Sequence, residues 1–173
     1  EQNTTLIRLG QWYEKTGECC FAAECYEKTG NWDDLLRTVG QDRGLSFGPE
    51  RLPLVRRWMA NCPEECQLRH PQALLVFMLL LFYGRDIPEM RRYHALFQRS
   101  MALCTDLARR ERDQLEGEAL LRLSFLCFND ISAMSAYHRQ IRALIPADRN
   151  PWTQGSPSVL MLYHSKSGGL DRE

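Results

Sequence analysis

The sequence has no excess of charge of either sign. Its 173 residues include 22 Lys and Arg and 22 Asp and Glu, so the formal net charge is zero. Domains that bind nucleic acid usually carry a basic excess that neutralises phosphates. We therefore expect no direct contact with nucleic acid, and the same balance argues against a polybasic role at a membrane surface.

The sequence also lacks alternating strand patterns and any apolar run long enough to cross a bilayer. The run at 73–83 reads ALLVFMLLLFY and stops at Gly84, whereas a membrane-spanning helix needs roughly 20 apolar residues. This run predicts a helix that is buried on all sides within a folded domain. Apolar residues recur at helical spacings almost throughout, which predicts an all-α fold without a membrane segment.

A disulfide framework is missing as well. The seven cysteines are odd in number and irregularly spaced, unlike the paired cysteines of small secreted domains. Most of them fall within apolar helical patterns, where a free cysteine behaves as a small hydrophobe. A reducing cytoplasm is therefore the expected location.

Helix start and stop signals divide the chain into helical hairpins. They predict hairpins at about 4–28, 31–61, 71–104 and 106–144, followed by a C-terminal loop and short helix at 147–164. The turn-rich residues 40–49 predict a connector. We expect a single helical repeat domain over 1–173. Because the chain begins at Glu1 without Met, we expect it to be a fragment of a longer protein.

One pattern recurs after 44 residues, and its members are Asp86, Ile87, Met90, Tyr93, His94 and Phe97, then Asp130, Ile131, Met134, Tyr137, His138 and Ile141. Aspartate at the start of each copy can cap a helix. The Met, the Tyr and the final Phe or Ile of each copy lie at steps of three and four, so they share one helix face. The period fits a duplicated unit of two helices with turns.

The first predicted hairpin has the spacing of a tetratricopeptide repeat. Small residues at Gly10 and Ala22 would let the two helices approach closely, with Gly17 at the turn. Tyr13 and Tyr26 would fill the groove beside them. The tetratricopeptide spacing of this hairpin differs from the 44-residue period of the later helices. We therefore expect a somewhat irregular array of antiparallel helical hairpins, a tetratricopeptide-like α-α superhelix.

Two segments resemble a known family. GQWYEKTGECCFAAECYEKTGNWDDLLRTV, at 10–39, resembles the first helical repeats after the ATPase module in large bacterial LuxR-type, maltose-activator-like transcriptional regulators. NPWTQGSPSVLMLYH, at 150–164, resembles a segment of the helical region of the same group. The resemblance implies a longer protein with a nucleotide-binding module, this central helical region and a C-terminal helix-turn-helix domain.

The expected function is regulatory rather than enzymatic. The sequence contains no phosphate-binding GxxxxGK[ST] string and no visible acid–base or nucleophile constellation. We expect no enzyme activity and no cofactor in this fragment. Instead, it would bind a small-molecule effector or a protein partner and relay that state to the ATPase and DNA-binding modules. The alternative is a constitutive protein–protein scaffold of tetratricopeptide type.

Cys62, Cys66 and His70 form a C-x3-C-x3-H string. On one continuous helix these side chains would share a face and could begin a zinc site. Pro63 cuts into that helix, and no fourth ligand is apparent from the sequence. We therefore expect local packing here rather than a bound metal.

Two further sets of residues favour packing over chemistry. Cys19, Cys20 and Cys25 suggest a redox sensor, but such a sensor needs exposed thiols of lowered pKa. Burial in the core of the helical hairpin explains at least one of these cysteines. His94 and His138 could line a groove that recognises a ligand. Their recurrence in the repeat favours structural histidines, because repeats share architecture first.

The four tryptophans are expected to pack within the fold, and one charged cluster is expected to face solvent. Trp12, Trp32, Trp58 and Trp152 lie one per region and are expected to pack between repeats. Trp152 lies in a Pro-flanked loop and should be the most exposed of the four; it would anchor the tail onto the array or meet a partner, and we favour anchoring. The charges at 109–113 alternate in sign and predict a solvated helix face.

Overall fold

A computed structural model describes residues 2–127 and 129–145 of the chain. Within these ranges the chain forms helices and no strand, which confirms the all-α prediction. The α-helices are α1 (Gln2–Lys15), α2 (Cys19–Thr29), α3 (Trp32–Asp42), α4 (Leu52–Asn61), α5 (Glu64–Leu68), α6 (Pro71–Tyr83), α7 (Ile87–Leu103), α8 (Arg109–Ser124) and α9 (Ile131–Leu144). Short 3-10 helices occur at Pro49–Arg51 and Phe125–Cys127. The segment at 147–164 lies outside the described residues.

The apolar helix α6 is the centre of the core. It packs against α3, α4, α5, α7 and α8, and its residues at 73–78 are all buried. This arrangement agrees with the prediction of a helix that is apolar on all sides and covered by its neighbours. No helix in the described part of the chain is long and apolar enough to cross a membrane.

In the first hairpin, α1 and α2 approach closely at Gly10. A Cβ atom on Gly10 would lie 2.8 Å from the Cε1 atom of Tyr26, and Tyr26 and Ala22 are fully buried. The Tyr26 hydroxyl donates a hydrogen bond of 3.1 Å to Glu14 of α1. Gly17 adopts a φ of 82° at the turn, a backbone conformation that suits glycine. The sequence predicted this close contact and the residues that form it.

Residues 31–61 differ from the expected hairpin. Helix α3 packs against α2 and α6, whereas α4 packs on α6. The reason is visible at Gly40, where an added Cβ would lie 2.9 Å from Gln72 Cβ and 3.2 Å from the backbone nitrogen of Ala73. Glycine thus lets α3 dock directly on the apolar helix α6. The short helix α5 was not predicted, and it packs mainly against α7.

The pairs α6/α7 and α8/α9 carry the 44-residue pattern. Each pair packs together across a short turn. Arg85 and Asn129, the residues before the two aspartates, both have a positive φ, of 57° and 73°. The side chains of Asp86 and Asp130 then accept a hydrogen bond from the third backbone N–H of α7 and of α9. The two copies therefore share a residue of positive φ before the aspartate and the predicted caps.

The buried faces of the two copies also correspond. Met90 of α7 and Met134 of α9 are both buried, as are Phe97 and Ile141 at the next matching position. Tyr93 is buried, and its counterpart Tyr137 is half-buried. These three positions therefore face the interior in both pairs, as expected for residues on one helix face, whereas Ile131 at the start of α9 is 68% exposed.

Candidate functional site

A groove lies between the end of α3, the first half of α6 and α8. Its volume is about 480 Å³, within the range of roughly 300–1,000 Å³ that is typical of small-molecule sites. A smaller hollow of about 160 Å³ adjoins it and shares the lining residues Gln72, Glu111 and Leu115. The groove is thus large enough for a ligand of the size of a common metabolite.

A buried ion pair forms one wall of the groove. Arg122 is only 2% exposed and Glu118 only 5%. The Nη1 atom of Arg122 lies 3.5 Å from Glu118 Oε2 and donates a hydrogen bond of 2.9 Å to the Glu118 carbonyl oxygen. Its Nε atom donates another of 2.9 Å to the carbonyl oxygen of Leu75 in α6. Burial lowers the pKa of Arg122, and the Glu118 charge opposes that shift.

The rest of the polar lining comes from three helices. Gln114 of α8 donates a hydrogen bond of 3.0 Å to Glu118 Oε1, and Arg43 Nη1 lies 3.9 Å from the same oxygen atom. Arg110 and Glu111 are exposed at the first turn of α8. The groove therefore presents guanidinium donors, carboxylate acceptors and amides together. Such a lining suits a polar ligand that carries charge.

A second cluster forms where the start of α3 meets α5 and α6. Asp33 Oδ1 lies 2.9 Å from His70 Nε2 and accepts a hydrogen bond of 3.3 Å from the Cys66 thiol. Arg69 also donates to both oxygens of Asp33, at 2.8–3.1 Å. The hydrogen bonds from Arg69 and then from His70 hold the pKa of the Asp33 carboxyl well below its usual range.

The C-x3-C-x3-H string is divided at Pro63, as its sequence predicts. Cys62 has an extended backbone with a ψ of 129°, the conformation that a following proline favours. Cys66 and His70 still lie one helical turn apart, because Arg69 between them keeps a right-handed helical backbone. Burial raises the pKa of the Cys62 thiol to about 12. Cys62 thus lies outside the helical turn that carries Cys66 and His70, although its thiol remains beside that of Cys66. The fold also brings Asp33 to Cys66 and His70.

Comparison with known families, proteins and structures identifies no relative of this chain. No protein-family model matches the chain, and neither a curated protein nor a solved structure matches it significantly. The likeness to LuxR-type regulators therefore stays a prediction.

The cysteines of α2 are located where packing requires them. Cys20 and Cys25 are buried and Cys19 is half-buried. Burial raises the pKa of all three thiols, and at Cys19 the carboxylate of Asp42 raises it further. A redox sensor needs the opposite shift, so these contacts favour the predicted core role.

The repeated histidines do not line the groove or the hollow beside it. His94 and His138 are both half-buried at equivalent positions of α7 and α9. Burial lowers the pKa of each imidazole, and the charge of Arg142 adds to the effect at His138. Their equivalent environments favour the structural interpretation.

The tryptophans follow the packing prediction only in part. Trp58 is fully buried and packs edge-on against Phe47, with ring centroids 6.0 Å apart, and Trp32 is half-buried. The expectation for Trp12 is wrong, because its side chain is 56% exposed on α1. The opposite face of α1, at Gly10, is the one that meets α2. Trp152 lies outside the described residues.

The charged cluster at 109–113 is a solvated face with one exception. Arg109 and Arg110 are exposed, as predicted. The side chain of Arg112 instead turns towards α7, where it donates hydrogen bonds of 2.8 and 2.7 Å to the carbonyl oxygens of Met101 and Cys104. A cation at a helix C-terminus satisfies carbonyl groups that have no partner within the helix.

Glu118, Arg122 and Asp33 are among the site residues that sequence reasoning missed. Glu118 and Arg122 are spaced four apart, and Arg122 is a lone charge within the apolar string ALLRLSF. That combination signals a buried pair, because an unpaired charge among apolar residues is strongly unfavourable. Asp33 gave no comparable signal, since it lies 33 residues before Cys66 and reaches it only through the folding of α3 against α5.

Proposed function

We propose that this chain is the effector-binding helical repeat region of a cytoplasmic LuxR-type transcriptional regulator. The observation that carries the proposal is the groove between α3, α6 and α8, with the buried Glu118–Arg122 pair in its wall. The sequence likeness at 10–39 supports the family assignment. The fragment itself would contact neither DNA nor a membrane, and its partners would be the small-molecule effector and the neighbouring modules.

The effector would act by fixing the relative positions of three helices. Arg43 lies at the end of α3, Gln72 at the start of α6, and Arg110 at the start of α8. A ligand that contacts all three would stabilise one packing of the first helices against the last ones. Differential affinity for one of two packings is sufficient to shift a conformational equilibrium. This shift is the signal that would reach the ATPase and DNA-binding modules.

A thermal-shift screen tests the proposal. The panel would contain amino acids, sugar phosphates and ribonucleotides as charged compounds, with neutral oligosaccharides as comparators. We expect a charged class to raise the melting temperature, because a ligand at 100 times its Kd adds about 2.7 kcal/mol to the free energy of unfolding. The absence of a shift with every class would contradict effector binding by this fragment.

A constitutive scaffold is the second candidate, and one surface favours it. The side chains of Leu9, Trp12 and Phe21 on the first hairpin are 39–56% exposed, and Tyr13 packs between Trp12 and Phe21 with ring centroids 5.1 and 5.4 Å away. Grouped exposed apolar side chains often mark protein interaction sites. A scaffold would show no melting shift with the panel, but the exchange of Trp12 and Phe21 for serine would abolish its partner binding.

A further inference from the structure

We propose that Asp33, Cys66 and His70 form a zinc-binding site that joins the start of α3 to α5 and α6. None of these three residues lines the groove, although His70 lines the hollow beside it. The proposal does not rest on effector binding. One donor atom of each residue lies within 4.8 Å of the other two. Carboxylate, thiolate and imidazole are the ligand types that Zn²⁺ uses in proteins.

The spacing of the donor atoms is close to that of a zinc tetrahedron. Bond lengths of about 2.0–2.3 Å at tetrahedral angles place ligand atoms roughly 3.3–3.5 Å apart. Asp33 Oδ1 lies 3.3 Å from Cys66 Sγ and 2.9 Å from His70 Nε2. Both distances from Asp33 are thus close to tetrahedral values, and all three donor atoms lie within 4.8 Å of one another, so side-chain rotations could bring them around one ion.

The surroundings hold these ligands in place. Asp33 lies in the first turn of α3, where the backbone N–H of Asp34 donates a hydrogen bond to the side chain of the capping residue Asn31. Cys66 is buried in α5, and His70 precedes α6. The ligand set would carry two negative charges once the Cys66 proton passes to solvent, and these would match the charge of Zn²⁺. Water would occupy the fourth position, as in open zinc sites.

Arg69 is the competitor of the metal for Asp33. Its side chain is 57% exposed, so it can turn into solvent when Zn²⁺ binds. Exposed ion pairs of this kind contribute little to stability. Removal of Arg69 distinguishes a metal site from a simple ion pair. If the cluster were only an ion pair, removal of Arg69 would create no metal affinity. If it is a metal site, removal of this positive charge would tighten binding.

The first measurement uses the full 173-residue chain after treatment with a chelator. Zn²⁺ is titrated by calorimetry, and Co²⁺ is titrated by absorption spectroscopy as a probe of geometry. We expect one site per chain, a near-ultraviolet charge-transfer band from Co²⁺–thiolate bonding, and a higher melting temperature with Zn²⁺. If the wild-type chain shows neither stoichiometric binding nor a charge-transfer band, the proposal is overturned, whatever the variants do.

The second measurement assigns the ligands. Asp33→Asn, Cys66→Ser and His70→Gln should each weaken zinc binding at least tenfold, and Cys66→Ser should also remove the charge-transfer band. Cys62→Ser is the matched control, since Cys62 is a buried thiol close to Cys66 but outside the three-ligand set. It should retain both zinc affinity and the band. Equal losses in Cys62→Ser and Cys66→Ser would refute this ligand assignment.

The third measurement uses Arg69→Gln. We expect the Kd for Zn²⁺ to decrease by about tenfold, the order of effect of one positive charge removed beside the site. An unchanged or weaker affinity would refute the competition between Arg69 and the metal. Circular dichroism of each variant confirms that the helices remain folded before the affinities are compared.

Discussion

The guanidinium group of Arg122 donates a hydrogen bond of 2.9 Å from Nε to the carbonyl oxygen of Leu75. This contact joins α8 to the middle of α6, 47 residues earlier in the chain. Because the same side chain also pairs with Glu118, one residue connects the two helical pairs and forms part of the groove wall.

Replacement of Arg122 by methionine should destabilise the fold strongly. Glu118 would then be a buried charge that keeps only the hydrogen bond from Gln114 and the more distant guanidinium group of Arg43. Breaking a buried pair with no other partner costs about 3–5 kcal/mol, so we expect a loss near the lower end of that range. Chemical denaturation of the wild type and of Arg122→Met measures the difference. The double variant Glu118→Leu/Arg122→Met is the control, since an apolar pair of similar volume should restore most of the lost stability. A loss in the double variant as large as in the single variant would mean that Glu118 is not the cause.

The capping aspartates should contribute unequally to stability. Asp130→Ala removes only a cap and should cost about 1 kcal/mol. Asp86→Ala should cost more, because Asp86 also forms an ion pair with Arg56 of α4. Asp86→Asn and Asp130→Asn are matched controls that keep the capping oxygen. Urea denaturation would contradict this account if both alanine variants behaved like their asparagine counterparts.

The two repeated histidines should make stability fall in mild acid. Burial lowers the pKa of His94 and of His138 from the usual 6.5, whereas unfolding restores it. Below about pH 6.5 the unfolded chain therefore binds more protons than the folded chain, and the free energy of unfolding decreases as the pH falls. The stability that the two neutral imidazoles contribute is fully present above that pH. Thermal denaturation between about pH 7.5 and pH 5.5 measures this trend.

The control for this pH dependence is the double variant His94→Gln/His138→Gln. As the pH falls over the same interval, the free energy of unfolding of this variant should decrease less than that of the wild type. The carboxylates whose pKa is lowered, such as Glu27 and Asp33, titrate below this interval and leave its slope unaffected. Identical slopes in the wild type and the double variant would show that these imidazoles do not cause the loss.

Local signals predicted much of the fold because they act within a few residues. Asp86 and Asp130 were identified as caps from their positions before apolar helical patterns, and both accept the expected backbone hydrogen bond. The apolar run at 73–83 predicted a buried helix in the same way. Each of these inferences needs only helix geometry and the burial of apolar side chains.

The partners of α3 and the two sites depended on contacts between distant segments. Gly40 read as part of a turn-rich connector, yet it is the point at which α3 meets Gln72 and Ala73. Asp33 likewise has no local sequence pattern that marks it as a site residue, and only the folded chain places it against Cys66. Neither pairing is encoded in local periodicity, so the sequence alone could not predict it.

The most direct test of the proposed function compares two neighbouring arginines of α8. Arg109 and Arg110 are both exposed, but only Arg110 lines the groove. Calorimetry would measure the affinity of the wild type, Arg109→Ala and Arg110→Ala for the charged compound that gives the largest melting shift. The account predicts that Arg110→Ala weakens binding about tenfold or more, the scale of one lost charge-assisted contact, while Arg109→Ala matches the wild type. Equal affinities in all three proteins would contradict it.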